Sequence, residues 1–157
     1  MSNHATIEIA VATEATTELA AAFAHLLPQP STSAKPLTVE ALTDIVAQPC
    51  NTLLIARDQA SNRKIVGTLT LVIFRIPTAV RAWVEGVAVD ADVRGRSVGE
   101  LLTRKAVQLA TERGAKTVDL TSRRSREAAH RLYEKVGFVT RDTSVYRYDP
   151  SGAKRSG

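Results

Sequence analysis

The stretch VAVDADVRGRSVGELLTRKAVQLATERG, Val87 to Gly114, decides the fold. An apolar run ends in a short acidic turn, an Arg/Gly-rich loop follows, and a long helical pattern closes the segment. Val98, Leu101, Leu102, Ala106, Leu109 and Ala110 recur at helical spacing, so one stripe of this helix is core. The helix is expected from about Ser97 to Arg113, with Gly114 as its C-cap. A strand, a glycine loop and a helix form the layout in which backbone amides converge on a phosphate. The first N–H groups of a helix lack intrahelical partners, and the macrodipole adds partial positive charge there. Gly95 and Gly99 let the chain bend and let oxygens approach, and Arg94 and Arg96 add full charges. Ser97-Val98-Gly99-Glu100 also fits a capping box with Ser97 as N-cap; the alternative use of its hydroxyl is donation to a phosphate oxygen. Two nucleotide loops are excluded. There is no G-x-x-x-x-G-K-[ST] string, and Gly95 and Gly99 do not have G-x-G-x-x-G spacing.

Outward from this segment the pattern is mixed. Thr6–Thr13 alternates as a half-buried strand, and residues 14–29 read as a helix closed by Pro28. The stretch PQPSTSAKP (residues 28–36) is a loop, followed by a short helix over Thr38–Ala47. NTLLIARD and KIVGTLTLVIFRI, joined by QASNRK, read as a hairpin, and Ala82–Val89 as a further strand. KTVDLTS predicts another strand, SREAAHRLYEKVG a helix ended by Gly137, and FVTRDTSVYRY two last short strands. This order predicts an α+β fold: a mainly antiparallel central sheet flanked by helices, with one parallel crossover at the loop. One domain over residues 1–150 and a flexible tail over 151–157 are expected.

The whole chain narrows the function class. Its 157 residues, 44% hydrophobic and 24% charged, are ordinary for a globular protein. No apolar run approaches the roughly 18 residues of a membrane span, and the N-terminus lacks signal-peptide features. Cys50 is alone, so no internal disulfide is expected, which favours a cytoplasmic location. Net charge is +5, but 13 Lys/Arg and only 6 Asp/Glu fall between Arg94 and Arg147. That half should meet an anion. Aromatic content is 4% and no basic run is interleaved with stacking rings, so a compact anion fits better than a long nucleic acid. No His/Cys cluster has metal-ligand spacing, so no metal is expected.

A second motif lies 34 residues beyond Gly99: REAAHRLYEKVGF, carrying Tyr133 and then Gly137-Phe138. Together, VAVD, RGRSVG against [RQ]-x-x-G-x-[GA], the following helix, VDLTS, and A-x-x-L-Y-E-K-x-G-F resemble the GNAT superfamily of acyl-CoA-dependent N-acetyltransferases. The resemblance covers about Trp83–Tyr148. It implies acetyl-CoA as co-substrate, with its pyrophosphate on the amides of Gly95, Arg96, Ser97, Val98, Gly99 and Glu100. The pantetheine arm would pair with Val87, Ala88 and Val89 between two splayed central strands, where a backbone N–H polarises the thioester carbonyl. Tyr133 matches the family tyrosine that protonates the leaving thiolate; as a residue alone, it fits a packed aromatic equally. The sequence departs from the family at Ser97, where glycine is usual, and at Arg126, where many members carry an asparagine on the cofactor. Arg126 would serve a phosphate instead.

Attack on a thioester needs a free amine, so a base is required. Glu85, on the same strand in a largely apolar setting, is the candidate; the alternative is a solvent-facing or ion-paired carboxylate. His130 lies three residues before Tyr133, as a proton-transfer helper or a structural histidine, while His4 and His25 suggest no role. The expected activity is acetyl transfer to a primary amine by direct attack in a ternary complex. The competing readings are a non-catalytic acyl-CoA sensor and an enzyme with a protein or tRNA acceptor. Trp83 and Phe74 would line an acceptor pocket or belong to core, and TSVYRYD would pair strands across a homodimer.

Overall fold

The computed structural model describes residues 6–27 and 37–152; the predicted 28–36 loop, His4 and the end of the tail lie outside them. In chain order the elements are β1 (Ile7–Val11), α1 (Thr17–Leu26), α2 (Val39–Ala47), β2 (Asn51–Asp58), β3 (Lys64–Ile76), β4 (Ala79–Val89), α3 (Val98–Glu112), β5 (Thr117–Asp119) and α4 (Glu127–Val136). Helices α1 and α2 begin where short polar side chains can occupy orphan amides. Thr16 accepts from Leu19 N–H and Thr38 from Ala41 N–H, both at 3.1 Å.

The strands form one sheet in the order β1-β2-β3-β4-β5, antiparallel except for the parallel β4–β5 pair. This is the α+β architecture expected, with α3 as the crossover. Alternation along the strands splits the core in two. On one face, Val98, Leu102, Ala106 and Ala110 of α3 bury against Leu54, Ala56, Leu69, Leu71, Ala82 and Val84. On the other, Leu19, Phe23 and Leu26 of α1 and Leu42 of α2 cover Leu53, Ile55 and Ile65. A fully buried leucine contributes roughly 1.5–3 kcal/mol, so the four leucines at 0% exposure on β2, β3 and α3 (Leu54, Leu69, Leu71, Leu102) fix the α3 face firmly. No helix among the described residues is long and apolar enough to cross a membrane.

Two expectations fail at the C-terminal end. The KTVDLTS strand shortens to Thr117–Asp119, and residues 138–149 form no strand. The reason lies in their pattern. Phe138, Val139, Val145, Tyr146 and Tyr148 fall on both parities, so no single face can be buried, and β5 offers an outer edge of only three residues. Val139, Val145, Tyr146 and Tyr148 are accordingly exposed.

Candidate active site

β4 is where the site begins. Its ladder to β5 covers only Arg81–Trp83 against Thr117–Asp119, although β4 runs on to Val89. From Val84 onward the edge of β4 facing β5 therefore has no ladder partner among the described residues, which is the expected splay. Within this open stretch the β3 register shifts: Thr68 pairs with Ala88 but Thr70 with Glu85. Gly86 and Val87 thus face Leu69 alone, a β-bulge that turns local amides out of the ladder. Gly86 has φ 59°, a left-handed conformation that glycine adopts without steric cost. Gly86 was not singled out from the sequence, although a lone glycine inside a strand pattern signals such a bulge. Three residues beyond the end of β5, the Ser122 hydroxyl is buried with no hydrogen-bond partner among the described residues.

After β4 the chain is tied down at Asp90, a buried carboxylate. It accepts from Asp92 N–H at 3.0 Å and meets His25 Nε2 at 3.0 Å and Lys64 Nζ at 3.6 Å. The Asp92 amide first, then His25 and Lys64, hold its carboxyl below the usual range against the opposing effect of burial. His25, silent in the sequence, thus links α1 to the start of the loop. No spacing rule could have paired residues 65 positions apart.

In the loop, Arg96 differs from the expectation of a charge presented to a ligand. Its guanidinium grips Asp58 at the end of β2, with Nη1 at 2.7 Å and Nη2 at 3.2 Å, and donates to Thr6 Oγ1 at 2.6 Å. Asp58 is 1% exposed, and the Arg96 hydrogen bond is the main reason its carboxyl lies below the usual range. The Arg96 amide is also used, by Val93 O at 3.2 Å. This residue anchors the loop from behind.

Ser97 corrects the capping-box expectation. It precedes the helix with φ 62° and ψ 24°, and its side chain makes no cap hydrogen bond. An N-cap side chain reaches the next turn from the extended region, not from the left-handed one. Glu100 does not reach back either; it bonds Arg104 Nε at 3.0 Å and Lys135 Nζ at 2.9 Å, tying α3 to α4. The left-handed conformation costs an L-residue roughly 1–2 kcal/mol, part of which glycine returns as chain entropy. Ser97→Gly is therefore expected to raise stability by about 0.5–1 kcal/mol, read as a higher urea midpoint. Should the variant also bind acetyl-CoA more weakly, the freed hydroxyl is a phosphate donor.

The first helical hydrogen bond of α3 runs from Leu101 N–H to Ser97 O at 3.0 Å. The amides of Val98, Gly99 and Glu100 consequently have no helical acceptor. Arg94 and Gly95 are exposed in the turn just before them, while the Val98 side chain is core. Gly99 permits a close approach: a Cβ there would lie 3.0 Å from Leu132 Cδ1 of α4. That contact brings α4, and Tyr133 on it, to the first turn of α3. Tyr133 is half-buried, edge-on to Phe138 with centroids 5.9 Å apart, and its hydroxyl has no partner among the described residues. Burial pushes the phenol up from its ordinary value, while the Arg126 charge pulls against it. Arg94, Arg123, Arg124 and Arg126 are exposed and form no ion pair among the described residues. His130 Nε2 meets Arg123 O at 2.8 Å, which ties α4 to the loop before it. Glu85 is exposed, not enclosed in an apolar setting.

The sequence matches the acetyltransferase (GNAT) family over residues 19–138 of 157. The chain belongs to the GNAT family. Among curated relatives, this GNAT chain is 31% identical over 75 residues to N-alpha-acetyltransferase 30 of Schizosaccharomyces pombe (strain 972 / ATCC 24843), covering 48% of this chain and 49% of that protein. The match to a Bacillus subtilis (strain 168) relative spans 37% of that protein's length, so the chain spans half or less of the curated relatives it matches. Among solved structures, a transcriptional regulator from Bacillus halodurans C-125 superposes with a TM-score of 0.75 at 28% identity, covering 91% of this chain and 99% of that one. The aminoglycoside acetyltransferase meta-AAC0020, from an uncultured soil metagenomic sample, gives a TM-score of 0.79 at 19% identity, over 92% and 96% of the two chains, a likeness of fold alone. The GNAT sheet and helices seen here thus recur in proteins of different stated roles.

Proposed function

We propose that the protein transfers an acetyl group from acetyl-CoA to a primary amine by direct attack in a ternary complex. The observation that carries this reading is the bulged, laddered-on-one-side stretch of β4 leading into the free amides of α3. It supplies, in order, a hydrogen-bonding edge for an amide-bearing arm and a cradle for a diphosphate. Acetyl-CoA has those two parts in that order, and it brings the thioester to the bulge.

The chain's residues then divide the work. Val87, Ala88 and Val89 present the edge for the pantetheine arm. Amides from Val98 to Glu100 take the pyrophosphate with the help of the α3 dipole, and Arg94 and Arg126 neutralise phosphate charge. A bulge amide near Gly86–Val87 stabilises the negative charge that develops on the thioester oxygen. Glu85 takes the ammonium proton, through water given its exposure, so that nitrogen can attack as a free amine. As the C–N bond forms and the C–S bond breaks, Tyr133 gives its proton to the sulfur. Its raised pKa keeps that proton in place at neutral pH.

Calorimetric titration with acetyl-CoA tests the cofactor assignment. Micromolar affinity is expected, and Arg94→Ala or Arg126→Ala should each weaken it about tenfold, the loss of one charge-assisted hydrogen bond. Absence of binding by the folded protein at millimolar acetyl-CoA would sink the reading.

A further inference from the structure

Among the described residues, the face of the sheet that carries α1 and α2 is not fully covered. Leu69, Leu71, Ala82 and Val84 bury against α3, with Ile73 and Val118 at the margin of that core. The intervening residues Val72, Phe74, Trp83, Glu85 and Asp119 therefore project on the other face. Register places them side by side: Val72 opposite Trp83, Thr70 opposite Glu85, and Trp83 beside Asp119. Val72, Phe74 and Trp83 are only half-buried, and none of the three belongs to either core cluster. They make an apolar shelf that begins three residues from the bulge on each strand, with Glu85 between it and Gly86. Its acidic end is unneutralised: neither Glu85 nor Asp119 forms an ion pair among the described residues. Strand geometry sets their Cα atoms about 8 Å apart, on two sides of the indole. Arg81, opposite Phe74, closes the far end about 13 Å from Glu85.

We infer that this shelf is the acceptor platform, and that it selects a small primary amine carried on an aromatic or apolar body. The inference rests on the acetyltransferase reading above and adds the acceptor's chemistry to it. The body lies on Trp83, Val72 and Phe74, where a flat ring gains both area burial and stacking. The ammonium lies at the Glu85 end, beside the bulge and held additionally by the Asp119 charge. Near the bulge the two carboxylates, with Arg81 at the opposite end of the shelf, disfavour a phosphorylated acceptor, and the Trp83 face favours a cation. Atom balance is unchanged: the ammonium proton leaves through Glu85, and nitrogen attacks the thioester carbon.

The chain contains one tryptophan, so its fluorescence reports Trp83 directly, with or without acetyl-CoA. Phenethylamine is expected to give a saturable change, and glucosamine 6-phosphate none at concentrations up to about 10 mM, a weak-binding limit. Asp119→Asn should weaken the phenethylamine response and raise its KM in thiol release by about tenfold, as for loss of a charged hydrogen-bond partner. The same variant should leave acetyl-CoA affinity in calorimetry unchanged. Trp83→Phe, which keeps a ring, should retain turnover, and Trp83→Ala should raise the phenethylamine KM at least tenfold with kcat altered less. A stronger response or lower KM with the sugar phosphate overturns the inference, as does an unsaturable phenethylamine response. A wild-type protein that answers phenethylamine by fluorescence yet fails to bind acetyl-CoA removes the acetyltransferase reading while leaving the amine site standing. The two failures are thus separable.

Discussion

Asp58→Ala is expected to lower the unfolding free energy by about 2 kcal/mol, between the scale of an exposed bridge and that of a fully buried ion pair broken from one side, because the Arg96 side chain is 24% exposed. Asp58 is 1% exposed and holds Arg96 through two hydrogen bonds, at 2.7 and 3.2 Å. Removing the carboxylate leaves a guanidinium in a site built to neutralise it. Replacing both partners, as in Asp58→Leu with Arg96→Met, should recover much of that loss, because an apolar pair of similar volume carries no stranded charge. Acetyl-CoA affinity should stay low in the double variant, since the loop has lost its anchor to β2. Urea unfolding separates these outcomes, and a loss below about 1 kcal/mol would reduce the pair to an ordinary surface bridge. The pH dependence has a definite sign. The folded carboxyl is held below its ordinary value by Arg96, then by Ala60 N–H. Its contribution is thus complete above the unfolded value of about 4 and is lost as pH falls through the lower folded value. The gap between wild type and Asp58→Ala should narrow on that acid side.

Tyr133→Phe should cut kcat about a hundredfold or more while leaving the KM for acetyl-CoA within about twofold, since general acid catalysis contributes roughly 10²–10⁴. The substitution removes one oxygen that has no protein partner among the described residues. The edge-on packing against Phe138 stays, so thermal stability should hardly change. Wild-type kcat should also fall at alkaline pH, as the phenol ionises above its ordinary value of about 10, and the Phe variant should lack that limb. A variant within about threefold of wild type would make Tyr133 a packing residue and leave sulfur protonation to water.

The sequence announced the scaffold well where burial enforces a period. β2 and β3 match their expected limits, and α3 follows from the stripe that includes Val98, Leu102 and Ala106. The last two strands failed because apolar residues were present without a single face. The loop, the α3 helix behind it and the helix that carries Tyr133 were legible as elements through spacing along the chain, whereas a role for Tyr133 came only from the family resemblance. The Asp58–Arg96 and Asp90–His25 links were not legible, because partners 38 and 65 residues apart carry no local signature. Ser97 misled for a related reason. Its identity fits an N-cap, and only the backbone angle, set by the anchored loop, shows that its side chain points elsewhere.

The strand order also orders stability within the molecule. β2, β3 and β4 are sequence neighbours joined through residues 59–63 and 77–78, short closures that cost little chain entropy. β5 is reached only through the whole of α3 and is held by three residues of ladder, and no residue of α4 is buried. The meander is thus the part that can form first, and β5 with α4 the part that opens first, well below the free energy of global unfolding. Tyr133 and Arg126 ride on that late, loosely held piece while Arg94 stands before α3, so a diphosphate spanning both helix ends would act as a clasp, completing the fold in the act of being bound.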